Sequence, residues 1–288
     1  MKTTKKFTIM LTILAFVMSI MAATAFAAND GVDWEKGVVR ATGIAAGKAG
    51  ERRFNLARAQ ARRAARMDAE RNLAEQIRGV QVTAESSLKD LALEYDYVQT
   101  AVTALIKNMQ EVGDPKFYDD GVCEIVLEIP LWGSSSSVAE AAFLPFKNAP
   151  KVDFPKPSTT TTTTTTTTTN TVIGGAYTGR YTGLIVDCSG LGLNPVMSPV
   201  IKNINGQSIY GHQNLDYDKV IELGMASYVR SANDAPASRA GSRPITVKAL
   251  SVENHNSNPI VTISDADSIL IANQGDHFLD NCAVVFIR

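Results

Sequence analysis

A row of small apolar residues at helical spacing constrains this chain more than any other feature. Positions 57, 61, 65, 69, 73 and 77 read Ala, Ala, Ala, Ala, Leu and Ile, an i,i+4 ridge that only a helix places on one face. The neighbouring row Arg58, Arg62, Arg66 and Glu70 is charged and is expected to face solvent. Alanine over most of the ridge lets the helix lie close to whatever it packs on, and Gly79 ends it. The spacing predicts a long helix from near Glu51 to Arg78, a pattern that presents no catalytic group.

The first 27 residues read as an export leader. Lys2, Lys5 and Lys6 make a basic start, Phe7 to Met21 is apolar, and Ala25-Phe26-Ala27 offers small residues for cleavage between Ala27 and Ala28. The apolar run is short against the about 20 residues of a bilayer span, so no membrane span is expected after the leader is removed. Removing three lysines and no acid moves the formal charge from −1 to −4. Such a balance has no global pull toward nucleic acid or anionic lipid. The expected location is the periplasm or outer envelope.

Three cysteines in an oxidising compartment allow one disulfide and one thiol. Cys123 shares an apolar face with Ile125, Leu127 and Ile129, so it reads as a buried thiol. Cys188 ends one expected strand and Cys282 lies in the last. A bridge between them would contribute about 4–5 kcal/mol in the chain-entropy model. Two buried thiols fit the sequence equally well.

The run Thr159–Thr169, preceded by Pro150, Pro155 and Pro157, marks a boundary. Residues 148–171 read as a tether reaching roughly 25–30 Å if flexible. It divides the product into an N-terminal domain at 28–147 and a C-terminal domain at 172–288, the leader occupying 1–27. The first domain reads as a strand at Lys36–Ala45, the long helix, a strand alternating at Val80, Val82 and Ala84, a helix through Val98, Val102, Leu105 and Met109, and two strands flanking Asp119-Asp120-Gly121. The second has strands at Tyr181–Cys188, Ile245–Val252 and Phe278–Arg288 and a hairpin across Asn205-Gly206. Helices are expected near Val220 and from Ser264, with Asp267 as its capping partner. The fold class is α+β: two small two-layer domains, helices on mixed or antiparallel sheets.

Val39-Arg40-Ala41-Thr42-Gly43, followed by an Ala/Arg helix ending Ala74-Glu75-Gln76-Ile77-Arg78-Gly79-Val80, resembles the LPP-twenty type of bacterial lipoprotein. That family is related to flagellar assembly proteins P and T. The resemblance covers mainly residues 36–130. Tyr181–Asp187, Ser264–Asp267 and Phe278–Arg288 look like the C-terminal module that accompanies such domains. The resemblance implies an outer-envelope protein without catalysis; some relatives build discs or rings around the flagellar motor, and others are surface lipoproteins. This chain departs from the lipoprotein members because no lipidation cysteine stands at the end of its leader, where Ala28 follows Ala27.

The polar candidates for chemistry are scattered. His212, His255 and His277 have no metal spacing. Ser189-Gly190 lacks the surrounding nucleophile-elbow pattern, and Gly190-Leu191-Gly192 is too short for a dinucleotide fingerprint. Asp265, Asp267, Asp276 and Asp280 do not follow a calcium-loop spacing. Residues 48–78 carry nine basic and four acidic side chains, but without interleaved aromatics they read as a solvated face with Arg71–Glu75 pairing, not a nucleic-acid surface. The sequence therefore predicts a protein that is not an enzyme, takes no cofactor and no metal, and works through protein partners of the envelope, including copies of itself. The alternative is a binding module for a cell-wall glycan or small ligand, with Tyr177, Tyr181, Tyr210, Tyr217 and Tyr228 as stacking surface.

Overall fold

The structure, a computed structural model, describes residues 30–48, 53–107, 109–133, 136–158 and 180–288. The Ala27–Ala28 junction, the threonine run and Tyr177 lie outside the described residues.

In the first half the chain runs β1 (Gly31–Asp33), β2 (Val38–Ala46), α1 (Phe54–Gly79), α2 (Leu88–Glu94), α3 (Asp96–Lys107), β3 (Gln110–Glu111), β4 (Lys116–Phe117), β5 (Val122–Pro130) and α4 (Val138–Ala142). The sheet is antiparallel throughout, ordered β1-β2-β5-β3 with β4 also on β5. β2 and β5 pair in unbroken register from Val38↔Pro130 to Ala46↔Val122. One face of β5, with Cys123, Ile125, Leu127 and Ile129, is buried. Over it lies α1, and its buried residues Ala61, Ala65, Ala69, Leu73 and Ile77 are the sequence ridge. The approach is backbone on backbone. A Cβ placed on Gly43 of β2 would fall 2.1 Å from the Ala65 carbonyl oxygen, and one on Gly47 2.6 Å from that of Ala57.

The charged row of α1 does more than meet solvent. Arg62 and Arg66 both pair with Glu111 on β3, and the Arg58 guanidinium sits 4.0 Å over the Phe117 ring on β4. Arg71 pairs with Asp68, one turn back, rather than with Glu75. The alternating residues Val80, Val82 and Ala84 form no strand. Val82 and Thr83 donate to the Ser86 carbonyl, the Thr83 hydroxyl accepts from Glu85 and Ser86, and Ser87 and Asp90 make a capping box that starts α2. Here local side-chain bonds outcompete a strand only three alternations long.

The second half runs β6 (Gly183–Asp187), β7 (Ile201–Asn203), β8 (Ser208–Tyr210), α5 (Tyr217–Leu223), β9 (Ser227–Val229), β10 (Pro244–Lys248), β11 (Ser251–Glu253), β12 (Asn258–Val261), α6 (Ile263–Asp276) and β13 (Val284–Ile287). One four-stranded sheet, β10-β6-β13-β9, is wholly parallel; the other, β11-β12-β7-β8, is mixed. The molecule is thus α+β with several sheets. The expected strand Ile245–Val252 is two strands in different sheets: the Ala249 N–H donates to Asp187 of β6 and the next, Leu250, to Ile260 of β12. α6 starts two residues earlier than expected, on a Thr262–Asp265 cap, because Asp267 is used elsewhere. The final strand is confined to Val284–Ile287, since His277 and Cys282 take positive φ in the turn before it.

The halves are joined by backbone bonds. Met197 and Ser198 donate to the carbonyls of Gln81 and Val82, Gly133 to Ile221 and Val152 to Gln213. One apolar cluster contains Leu73 and Leu127 of the first half and Leu184 and Phe286 of the second. Both chain ends flanking the threonine run are held by the same helix: Ser158 donates its N–H to Asp267 and Tyr181 its N–H to Asp276. Nine residues of helix separate those acids, about 14 Å. The described residues before and after the run are thus fastened to one element.

Replacing Gly43 by alanine forces a methyl into the α1 backbone. Urea unfolding of Gly43→Ala is expected to show a loss of about 3 kcal/mol; an unchanged midpoint would mean that α1 does not sit this close.

Candidate functional site: a groove where the halves meet

The residues singled out by the sequence are engaged in structure. His255 lies in a turn of left-handed residues and His277 caps the end of α6, its ring 3.5 Å from Asp280. Asp265 caps α6, Asp267 and Asp276 anchor Ser158 and Tyr181, and Asp280 accepts from Asn273 and pairs with Lys151. Among the described residues no three His, Cys, Asp or Glu side chains are grouped as metal ligands would be. Ser189 donates its N–H to Asp187, and hydrogen bonding from the Ser189 side chain, more than from that N–H, holds the Asp187 carboxyl below its usual range. Tyr210 and Tyr228 are core: the Tyr210 hydroxyl donates to Met225, and that of Tyr228 donates to the Val196 carbonyl and accepts from the Val196 N–H. They form no stacking platform.

Cys188 and Cys282 do not meet. Parallel register sets Leu184 beside Val284 and Asp187 beside Ile287, so Cys282 is level with Thr182 and Cys188 with Arg288. Six strand residues separate the two levels, about 20 Å, far beyond the span of a disulfide. Both are buried thiols, as is Cys123. Burial pushes Cys188 up to about 12 and raises Cys123 and Cys282 as well.

His212 lies elsewhere. Its Nδ1 is 3.1 Å from Ser198 Oγ, and its ring lies 4.5 Å from that of Phe146. Ser198 is 2 % exposed and its backbone is tied to Val82, and among the described residues no carboxylate bonds the imidazole. A serine nucleophile needs access and an oriented base, so this pair is a joint between the halves. His212 also lines a cavity of about 220 Å³ with Phe143, Phe146, Pro150, Tyr217 and Val220. Burial lowers the pKa of its imidazole.

A second recess, about 320 Å³, opens where the β1–β2 hairpin faces the start of β9. Trp34, Glu35, Lys36 and Gly37 come from the hairpin, Trp132 from the chain after β5, Ser227 from β9, and Ser238 and Arg239 from a 3₁₀ helix over 235–240; Glu35 is paired with Arg230. These are the two tryptophans of the chain. Trp34 sets its edge on the Tyr228 ring, centroids 5.6 Å apart at 69°. Trp132 lies against Gly224, whose φ is +72° and where a Cβ would fall 2.5 Å from the indole. Arg239 donates to the Leu223 and Gly224 carbonyls at the end of α5 and to Ser227 Oγ. It thereby offsets the negative end of that helix. Burial lowers its pKa, and among the described residues no acid is bonded to it.

Sequence reasoning missed this groove because its parts are spread from residue 34 to 239. The one available signal was that tryptophan, the residue best suited to a half-wet surface, occurs only twice and both times next to glycine or a charge.

Residues 183–288 match the family model described as Treponema pallidum Tp0624, second domain. The match begins at the first residue of β6 and ends with the chain, so it covers both sheets of the second half. It is a bacterial family, and the second half is similar to that domain. No curated protein matches the chain. Among the described residues no helix is long and apolar enough to cross a membrane.

Two measurements check this chemistry. A thiol reagent at neutral pH is expected to leave the native protein unlabelled and to find three thiols in guanidinium, whereas rapid native labelling would contradict the burial of these groups. His212 binds its proton more weakly folded than unfolded, so its contribution is present above the ordinary value of 6.5 and is lost as pH falls through the lower folded value. Stability should thus decline from pH 7 to 5.5, and less steeply in His212→Gln; parallel slopes for the two proteins would show that His212 is not responsible.

Proposed function

We propose that this chain is a non-enzymatic exported protein of the bacterial cell envelope that serves as a scaffold or assembly factor. The observation that carries the reading is how the reactive side chains are spent: thiols are buried, the aspartates cap and anchor, and Ser198 is buried beside a His212 to which no carboxylate is bonded among the described residues. What remains accessible is surface, held rigid by a core common to both halves. The export leader and the match of the second half to a bacterial domain support an envelope setting. The resemblance of residues 36–130 to the LPP-twenty and flagellar assembly proteins favours association with the flagellar motor or outer membrane. Self-assembly and envelope protein partners belong to the same reading. A binding role for a glycan or small ligand is the second reading, favoured by the tryptophan groove.

Cell fractionation with mass spectrometry of the product tests the first reading. The expected product starts at Ala28 and is recovered with the periplasm or envelope. Deletion of the gene should leave a gap in the envelope or motor density seen by cryo-tomography. An unprocessed chain in the cytosol, or an unaltered envelope and normal swimming, would overturn it.

A further inference from the structure

The geometry points to the groove between the halves as a binding site for an acidic saccharide, with Trp34 and Trp132 flanking the sugar ring and Arg239 taking its carboxylate. The inference rests on the binding-module reading and adds the ligand class. Three observations meet there. At about 320 Å³ the recess is at the small end of known ligand sites, the scale of one or two sugar rings. Its walls carry both tryptophans of the chain, each half-buried. An indole face is negative and flat, and it suits the weakly positive C–H face of a pyranose. The polar groups between them are Ser227, Ser238, Glu35, Lys36 and Arg239; Glu35 is paired with Arg230 and Lys36 with Asp33, which leaves Arg239 as the lining cation with no bonded acid among the described residues.

Arg239 gives the site its charge preference. Its two terminal nitrogens hold Leu223, Gly224 and Ser227, which fixes the guanidinium in place, and its Nε–H has no partner among the described residues. A guanidinium with uncommitted donors and no bonded acid is suited to a carboxylate, which forms stronger, charge-assisted bonds than a neutral hydroxyl. A neutral sugar would keep the stacking and lose that contact.

The protein supplies its own probe, because every tryptophan it has lines this groove. Emission of the full mature chain is followed during titration with N-acetylmuramic acid and, separately, with N-acetylglucosamine, the same ring without the carboxylate. The expected result is a saturable change with the acid, about tenfold weaker affinity for the neutral sugar, and similar weak affinities for both in Arg239→Gln. Since Arg239 also caps α5, the comparison of the two sugars on the unaltered protein decides the matter if that variant does not fold. Equal affinities for both sugars would overturn the acidic-ligand inference while leaving a saccharide-binding groove. No response to either would overturn both, and the envelope reading would stand on its fractionation result alone.

Discussion

The contact on which the rest depends is made without side chains. At Gly43 and Gly47 the β2 backbone touches the α1 backbone directly, and the alanine ridge leaves nothing between them. Once α1 is seated, the direction in which it ends is fixed, and so is the turn from Val80 to Ser87 that follows. That turn points the carbonyls of Gln81 and Val82 at Met197 and Ser198, where the second half attaches. Trp132, leaving the strand that α1 covers, then lies on Gly224. The strand that α1 covers this closely is thus the one whose hairpin and neighbour supply one wall of the groove. Small residues here act at long range because they fix a distance, not because they contribute area.

Much of the first half was legible in the sequence. The ridge from Ala61 to Ile77, the apolar face of β5 and the buried stripe of α3 are long periodic patterns, and tertiary contacts had no reason to override them. Short patterns fared worse. Val80–Ala84 alternates like a strand, but Thr83 and Ser87 offer local bonds that close a turn first. In the second half, one run of β-branched residues was divided between two sheets by consecutive N–H groups pointing to different partners, which no periodicity can announce. The candidate site was hardly legible at all. The expected stacking residues Tyr210 and Tyr228 are core, because each hydroxyl finds a backbone partner inside. The residues that do line the groove come together only through the junction.

Burial and bonding explain why so many candidate groups carry no chemistry. A thiol held at about 12 is protonated throughout the physiological range, and parallel register keeps Cys188 and Cys282 apart whatever the redox state around them. The four aspartates of the C-terminal region look like a cluster in the sequence, yet each serves a different segment. Arg239 is the exception. Among the described residues it is bonded only to neutral acceptors, so dipoles and not an acid balance its charge there.

The two ends that flank the threonine run have a further consequence. Ser158 and Tyr181 are fastened to Asp267 and Asp276 on one rigid helix, so their separation does not depend on what lies between them. For a chain closing between fixed points, each doubling of length costs only about 0.6 kcal/mol. The described residues at either side of the run are thus held by the helix itself, and the core and groove are built from residues outside it.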